Sequence, residues 1–226
     1  MNSEMNNNRA LLRWLDADML AGASFRAAVT HRSAGGGNNE RLEYLGDAVL
    51  GMLIAEHLYR LHPNASEGDL SRLCAKLVRG ETLAGIAKEL HLSDLLVLGP
   101  GEVKAGGHRR DTILADALEA IIGAVYLEKG FEAARVFVLG LFQTRIANLP
   151  PPEQLKDAKT RLQEYLQARN LALPEYRLQL ASGEPHAQNF VMRCLLPHCG
   201  IETTGEGGSK REAEQRAAAR ALAMLP

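Results

Sequence analysis

NERLEYLGDAVLG, residues Asn39 to Gly51, packs three carboxylates into the start of what reads as a long helix. Its apolar residues recur at three-to-four spacing with no strand-like alternation, and the pattern runs on through MLIAEHLYRL. Each helical residue advances by about 100°. Counted from Glu40, Glu43 then stands near −60° and Asp47 near −20°, so the three acids share one narrow stripe. Leu42, Leu45, Val49 and Leu53 fall on roughly the opposite side. This describes a solvated helix face, the usual meaning of a charge run, equally well as a site that holds something. The stretch alone leaves both readings open.

Working outward, residues 9 to 147 read almost wholly as helices, among them DLSRLCAKLVRGETLAGIAKEL and TILADALEAIIGAVYLEKG. SEGD at Ser66–Asp69 is a capping box. The texture breaks at NLPPPEQLKD, where three consecutive prolines favour an extended connector. Beyond it KTRLQEYLQARN is helical, and EYRLQLASGEPHAQNFVMRCLLPHCGIETTGEGGS alternates between Gly and Pro breaks, which predicts three short strands. SKREAEQRAAARALAML closes as an alanine-rich helix capped by Ser209. The expected fold class is therefore two domains: an all-α domain over 1–148, a Pro-rich linker over 149–155, and a small α+β domain of order α-β-β-β-α over 156–226.

A second acidic helix bears on the first. ILADALEAIIGAVYL, Ile113–Leu127, contains Asp116, Glu119 and no basic residue, and it is apolar nearly all round, as buried helices are. Asp116 and Glu119 are spaced i, i+3 and point the same way. Ionised carboxylates in such surroundings are costly unless paired with a cation or bound to a metal. Gly123 lies one turn further along this stripe, and Gly51 continues the acid stripe of the first helix, so both are candidate points of close approach. Oxygen-only ligands suit a hard cation, Mg²⁺ or Mn²⁺, rather than zinc. A distant Arg or Lys that neutralises the acids is the alternative. Cys194, His198 and Cys199 offer three zinc ligands in CLLPHCG, but no fourth is evident and the spacing fits no common zinc motif.

Composition narrows the class without naming a function. Hydrophobic residues at 46% and charged residues at 23% are ordinary globular values. A formal charge of −1 excludes a global basic field, so any polyanion site is local. Three cysteines imply no disulfide framework and favour a reducing compartment. The first twenty residues do not read as a signal peptide, and no stretch matches a charge-free membrane span, so a cytoplasmic protein without a membrane partner is expected.

NERLEYLGDAVL, with THRS at Thr30–Ser33, EGDLSRL from Glu67, GGHRRDTILADALEAIIGAVYLEKG from Gly106 and the C-terminal α-β-β-β-α unit, resembles the bacterial ribonuclease III family over nearly the whole chain. The resemblance implies an endonuclease domain followed by a double-stranded-RNA-binding domain, and a Mg²⁺-dependent homodimer, with Mn²⁺ as a substitute, whose two sites cut the two strands of an RNA duplex. It implies 5′-phosphate and 3′-hydroxyl ends with a short 3′ overhang, no nucleotide cofactor, and ribosomal RNA precursors and structured messages as substrates. Glu43, Asp47, Asp116 and Glu119 match the metal carboxylates, with Asp47 and Glu119 catalytic, and Glu40 and Glu67 match accessory acids. Tyr44 stands where the family usually has Phe, a ring that packs across the dimer interface. His31 is expected to be structural, positioning the helix that follows.

The same resemblance marks RNA contacts. Thr160, Gln163, Glu164 and Gln167 share one helix face at i, i+3, i+4, i+7, a polar array suited to 2′-hydroxyls and base edges of the shallow minor groove. His186 in GEPHAQ matches a second minor-groove contact, and Lys210 and Arg211 can clasp phosphates at a helix start. Residues 153–226 hold ten Lys or Arg against nine Asp or Glu, a balance of +1, so binding must rest on local placement and shape. Lys104, Arg109 and Arg110, just before the Asp116 helix, are further candidates for the RNA backbone or for plain surface pairs. The rival functions are a duplex-RNA-binding regulator that does not cut, for which uncompensated carboxylates serve no purpose, and an all-helical metal hydrolase of small molecules, which leaves the C-terminal unit unused.

Overall fold

The computed structural model describes residues 11–151, 155–184 and 188–225. The chain divides between Leu149 and Pro150 into two compact units. The first contains α1 (Ala17–Ala21), α2 (Ala23–Ala28), α3 (Glu40–Leu61), α4 (Glu67–Val78), α5 (Gly80–Glu89), α6 (Pro100–Lys104), α7 (Asp111–Lys129) and α8 (Phe131–Ala147). Its axis is α7. Ile113, Leu114, Ala117, Leu118 and every residue from Ala120 to Val125 are buried there, beneath α3, α5, α8 and α2. Asp111 opens this helix and Gly130, at φ 82°, closes it in a backbone region that suits glycine.

The segment read as one helix from Asp69 to Leu90 is two. Arg79 is extended (φ −67°, ψ 147°), and Gly80 begins the next helix. This bend lets α4 pack against α3 while α5 turns Leu83, Ala84, Ile86 and Ala87 into the core against α7. The cap at Ser66 forms as expected. Its hydroxyl accepts the Asp69 N–H at 3.2 Å and donates to the Asp69 carboxylate at 2.7 Å. Trp14 packs against α8 at Gly140, where a Cβ would stand 2.0 Å from the indole ring.

The α3–α7 crossing is closer than side chains allow. A Cβ on Gly46 would lie 1.7 Å from the Glu119 carbonyl oxygen, and one on Gly123 would lie 2.3 Å from the Leu42 carbonyl oxygen. Gly123 is thus a point of close approach, as its position predicts. Gly51 is not, because a Cβ there meets nothing within 4 Å. The partner of Gly123 is Gly46, on the buried side of α3.

In the second unit Asp157 caps α9 (Ala158–Gln167) by accepting the Thr160 N–H at 2.8 Å. Strands β1 (Glu175–Ser182), β2 (Asn189–Leu196) and β3 (Ile201–Gly207) form an antiparallel sheet in that order, followed by α10 (Lys210–Ala223) capped by Ser209. Cys194 pairs with Tyr176 and Thr203 in the register. It is buried with Leu162, Leu166, Leu196, Ala217, Ala218 and Ala221, so its thiol fills core and is no metal ligand. Gly205 lets α10 lie on β3, since a Cβ there would come within 2.1 Å of the Ala213 carbonyl oxygen. Among the described residues no helix is long and apolar enough to cross a membrane.

Candidate metal centre

At the glycine crossing the two acidic stripes meet. Glu43 lies one turn before Gly46 and Glu119 one turn before Gly123, so the backbone contact brings their carboxylates together, with Asp116 beside them. One oxygen from each of Glu43, Asp116 and Glu119 lies within 4.8 Å of the others, and all three residues are half-buried. The stripe on α3 is therefore not an outer face. Leu50, Ile54 and Leu58 continue it toward the C-terminus and are fully buried, so the acids form the open end of the helix's core-facing side.

Electrostatics follow from this placement. Burial, and then the charges of Asp47, Asp116 and Glu43, push the Glu119 carboxyl up to about 7. Glu43 is raised by burial and then by Asp116 and Glu40, against a smaller opposing pull from Arg32. Asp116 is raised by burial, opposed by His31 and Arg32. Among the described residues no Lys or Arg forms an ion pair with Glu43, Asp47, Asp116 or Glu119. A half-buried cluster of mutually repelling oxygen ligands is relieved by a hard divalent cation, and its donor chemistry fits one.

The remaining predicted residues divide around this centre. Asp47 is exposed and outside the 4.8 Å group, although its charge is the largest of those acting on Glu119. Glu40 stands at the rim, 3.5 Å from Arg32. Glu67 is on α4 and away from the acid cluster, where it accepts the Ser71 hydroxyl at 2.9 Å and borders an apolar hollow with Met52 and Tyr59. Tyr44 is 82% exposed on α3, so its hydroxyl has water as a partner.

A groove of about 510 Å³ runs from Glu43 and Asp116 to a wall of Arg32, Asn39, Glu102 and Arg110. Of the three loop cations, Arg110 reaches this groove, where it is paired with Glu102 at 2.7 Å; Lys104 and Arg109 are exposed and do not line it. His31 lines the same groove. Its Nδ1 accepts the Ser33 N–H at 3.2 Å and fixes the turn that ends in α3. Arg32, Asn39 and Glu102 were not marked as site residues by the sequence pattern, although Arg32 lies inside THRS and Asn39 heads NERLEYLGDAVL.

In the second unit Gln163, Glu164 and Gln167 are exposed and Thr160 is half-exposed, all turned away from buried Leu162 and Leu166. Glu164 accepts Lys156 Nζ at 2.7 Å. Lys210 and Arg211 are exposed in the first turn of α10. His186 lies outside the described residues, as do residues 152–154 of the expected linker.

Comparison with known proteins gives this arrangement a lineage. The family model described as Ribonuclease-III-like matches residues 23–146, and that described as Double-stranded RNA binding motif matches 158–225. The chain is 56% identical to Ribonuclease 3 of Nitrosococcus oceani over 205 residues, 90% of this chain and 88% of that protein. It is 53% identical to Ribonuclease 3 of Shewanella amazonensis over 198 residues, 88% of each. A solved nuclease domain of ribonuclease III from Campylobacter jejuni, described as flexible in a region involved in dimer formation, is 40% identical with a TM-score of 0.58. It covers 62% of this chain and 97% of its own. The helical unit with its acidic crossing and the α-β-β-β-α unit behind it thus make one argument: the chain belongs to the ribonuclease III family.

Proposed function

We infer that the protein is a Mg²⁺-dependent endoribonuclease that cuts both strands of an RNA duplex, leaving 5′-phosphate and 3′-hydroxyl ends with short 3′ overhangs. Membership of the family makes it an endoribonuclease. The observation that carries the rest is the half-buried group of Glu43, Asp116 and Glu119 in a chain that also holds a double-stranded RNA binding motif. A binder that does not cut gains nothing from three half-buried carboxylates, of which Glu119 is raised by burial and by the charges of Asp116 and Glu43.

Glu43, Asp47, Asp116 and Glu119 hold the cation in this reading, for which Mn²⁺ substitutes, with Asp47 and Glu119 catalytic and Glu40 and Glu67 accessory. When bound, the cation supplies the positive charge that makes a water nucleophilic and offsets charge at the scissile phosphate. Thr160, Gln163, Glu164, Gln167, His186, Lys210 and Arg211 hold the duplex, and Arg110, with Lys104 and Arg109 nearby, steadies its backbone. Residues 149–155 link the two domains.

Tyr44, Ala48, Met52, Ala55 and Tyr59 form an exposed, largely apolar stripe along α3, with Tyr44 at 82% and Tyr59 at 71% exposure. This stripe supports a homodimer paired through α3, with Tyr44 in the contact. Free cysteines at 74, 194 and 199 support a reducing, cytoplasmic setting, and precursors of ribosomal RNA and structured messages are the proposed substrates.

A long RNA duplex incubated with wild type and with Glu119→Gln, with and without Mg²⁺, tests the reading. Wild type is expected to cut only with Mg²⁺, and the variant to bind but cut at least about 100-fold more slowly. Cleavage that survives the substitution, or that needs no metal, would falsify the metal assignment. Equal cutting of single strands would refute the duplex specificity.

A further inference from the structure

The rim of the groove carries a second chemistry, centred on Arg32. The turn that bears it is fastened on both sides. The His31 N–H donates to the Val97 carbonyl at 3.0 Å, the Gly99 N–H donates to Ser33 Oγ at 3.0 Å, and the Asn39 N–H donates to the Thr30 carbonyl at 2.9 Å. The backbone is fixed, but the side chain is 70% exposed and its ion pair with Glu40 spans 3.5 Å. An exposed pair of that length is weak and easily exchanged. Arg110, across the groove, lies 2.7 Å from Glu102, whose side chain is only 19% exposed, a closer and less solvent-screened ion pair. Arg32 is therefore the releasable cation of the two.

Its position sets it against the acid cluster. Arg32, Glu40, Glu43 and Asp116 all line the same groove. A divalent cation among those oxygens would repel the guanidinium that now shares their field. The nearby wall offers one further donor, since Asn39 is 2% exposed and its Nδ2 has no acceptor among the described residues. A freed guanidinium presents a planar fork that matches a phosphate.

We propose that Arg32 is a movable counter-charge: paired with Glu40 beside the acid cluster it competes with a divalent cation for those carboxylates, and it takes an RNA phosphate at the groove rim when the cation enters. This rests on the proposed function, because it needs the cluster to hold a divalent cation and the substrate to be RNA. It makes one side chain a competitor of the metal and a partner of the substrate, two roles with opposite signs.

Arg32→Gln separates them. Mg²⁺ titrated calorimetrically into the RNA-free full chain is expected to bind the variant on the order of threefold more tightly than wild type, because a competing charge is gone. KM for a duplex is expected to rise about threefold to tenfold, and the slope of log KM against log salt to fall by about 1, one phosphate contact having been lost. Arg32→Lys keeps the charge and loses the fork. It is expected to bind Mg²⁺ as wild type does, with a raised KM, and it decides the matter if the Gln variant melts early by Trp14 fluorescence. Unchanged or weaker Mg²⁺ binding by Arg32→Gln overturns the competition, and an unchanged salt slope overturns the phosphate contact. Wild-type KM in Arg32→Lys, or Mg²⁺ binding that differs from wild type, overturns the exchange. A wild type that leaves duplex RNA uncut overturns the proposed function instead.

Discussion

Glu119 is held to about 7 by burial and by three neighbouring acids, and a titration of stability follows from that. In the unfolded chain its carboxyl ionises near the ordinary 4.5, whereas in the folded metal-free protein it keeps its proton to about 7. Between those values the folded state binds more protons. Metal-free stability from this group is therefore full below 4.5 and falls as pH rises through 7. At pH 8 without metal, Glu119→Gln should melt above wild type, by on the order of a few degrees, and at pH 4.5 the two should coincide. Trp14, the one tryptophan, sits in the same unit and reports the melt by fluorescence. Mg²⁺ should raise the wild-type value at pH 8 and leave the variant's nearly still; equal melting without metal would mean that the acids do not repel. Both acid pairs could be read from residue order, since i, i+3 and i, i+4 spacing decides which side chains share a stripe. What stands opposite a stripe is a tertiary fact. Helical angles put Glu43 and Asp47 on a face that passes for wet, and only Leu50, Ile54 and Leu58, buried further along that face, reveal that it points inward.

At the scale of elements, the α3–α7 crossing determines the site as much as its carboxylates do. Gly46→Ala would drive a methyl into the Glu119 carbonyl, whose oxygen lies 1.7 Å from where the Cβ must go, so the helices have to part. The expected cost is about 3 kcal/mol or more, read as a lower urea midpoint of Trp14 fluorescence. Mg²⁺ binding should weaken with it. Gly51→Ala, where a Cβ meets nothing within 4 Å, is expected to leave or slightly raise stability. A melt unchanged by Gly46→Ala would show that the crossing tolerates a wider spacing. Gly123 was legible because it lies one turn along the Asp116 and Glu119 stripe of a helix apolar nearly all round, where a small residue lets another backbone come close. Gly46 was hidden inside a stretch whose charges drew the reading to the other stripe. The break at Arg79 was hidden too, because apolar spacing continues through it almost in phase, and only the separate partners of α4 and α5 require the turn.

For the whole molecule, the domain order, the strand pattern and the division near the prolines were all legible, because proline and glycine breaks and a change from helical to alternating period are local signals. Assembly is not a local signal, and the exposed α3 stripe supplies its test. Tyr44→Glu with Met52→Glu places two unpaired charges in the proposed contact. Sedimentation equilibrium is expected to show self-association weakened by about 100-fold or more, with nicked rather than fully cut duplexes as product. Wild type that sediments as a monomer at micromolar concentration would remove the α3 pairing. The burial of α7 has a last consequence. Asp116 and Glu119 stand on the helix whose residues from Ala120 to Val125 are wholly enclosed, and amides in such a segment exchange with deuterium only when the domain opens as a unit. Asp116 and Glu119 therefore stand beside the slowest-opening part of their domain, so heat is expected to release these two carboxylates only as the domain itself opens, and not by fraying of their helix.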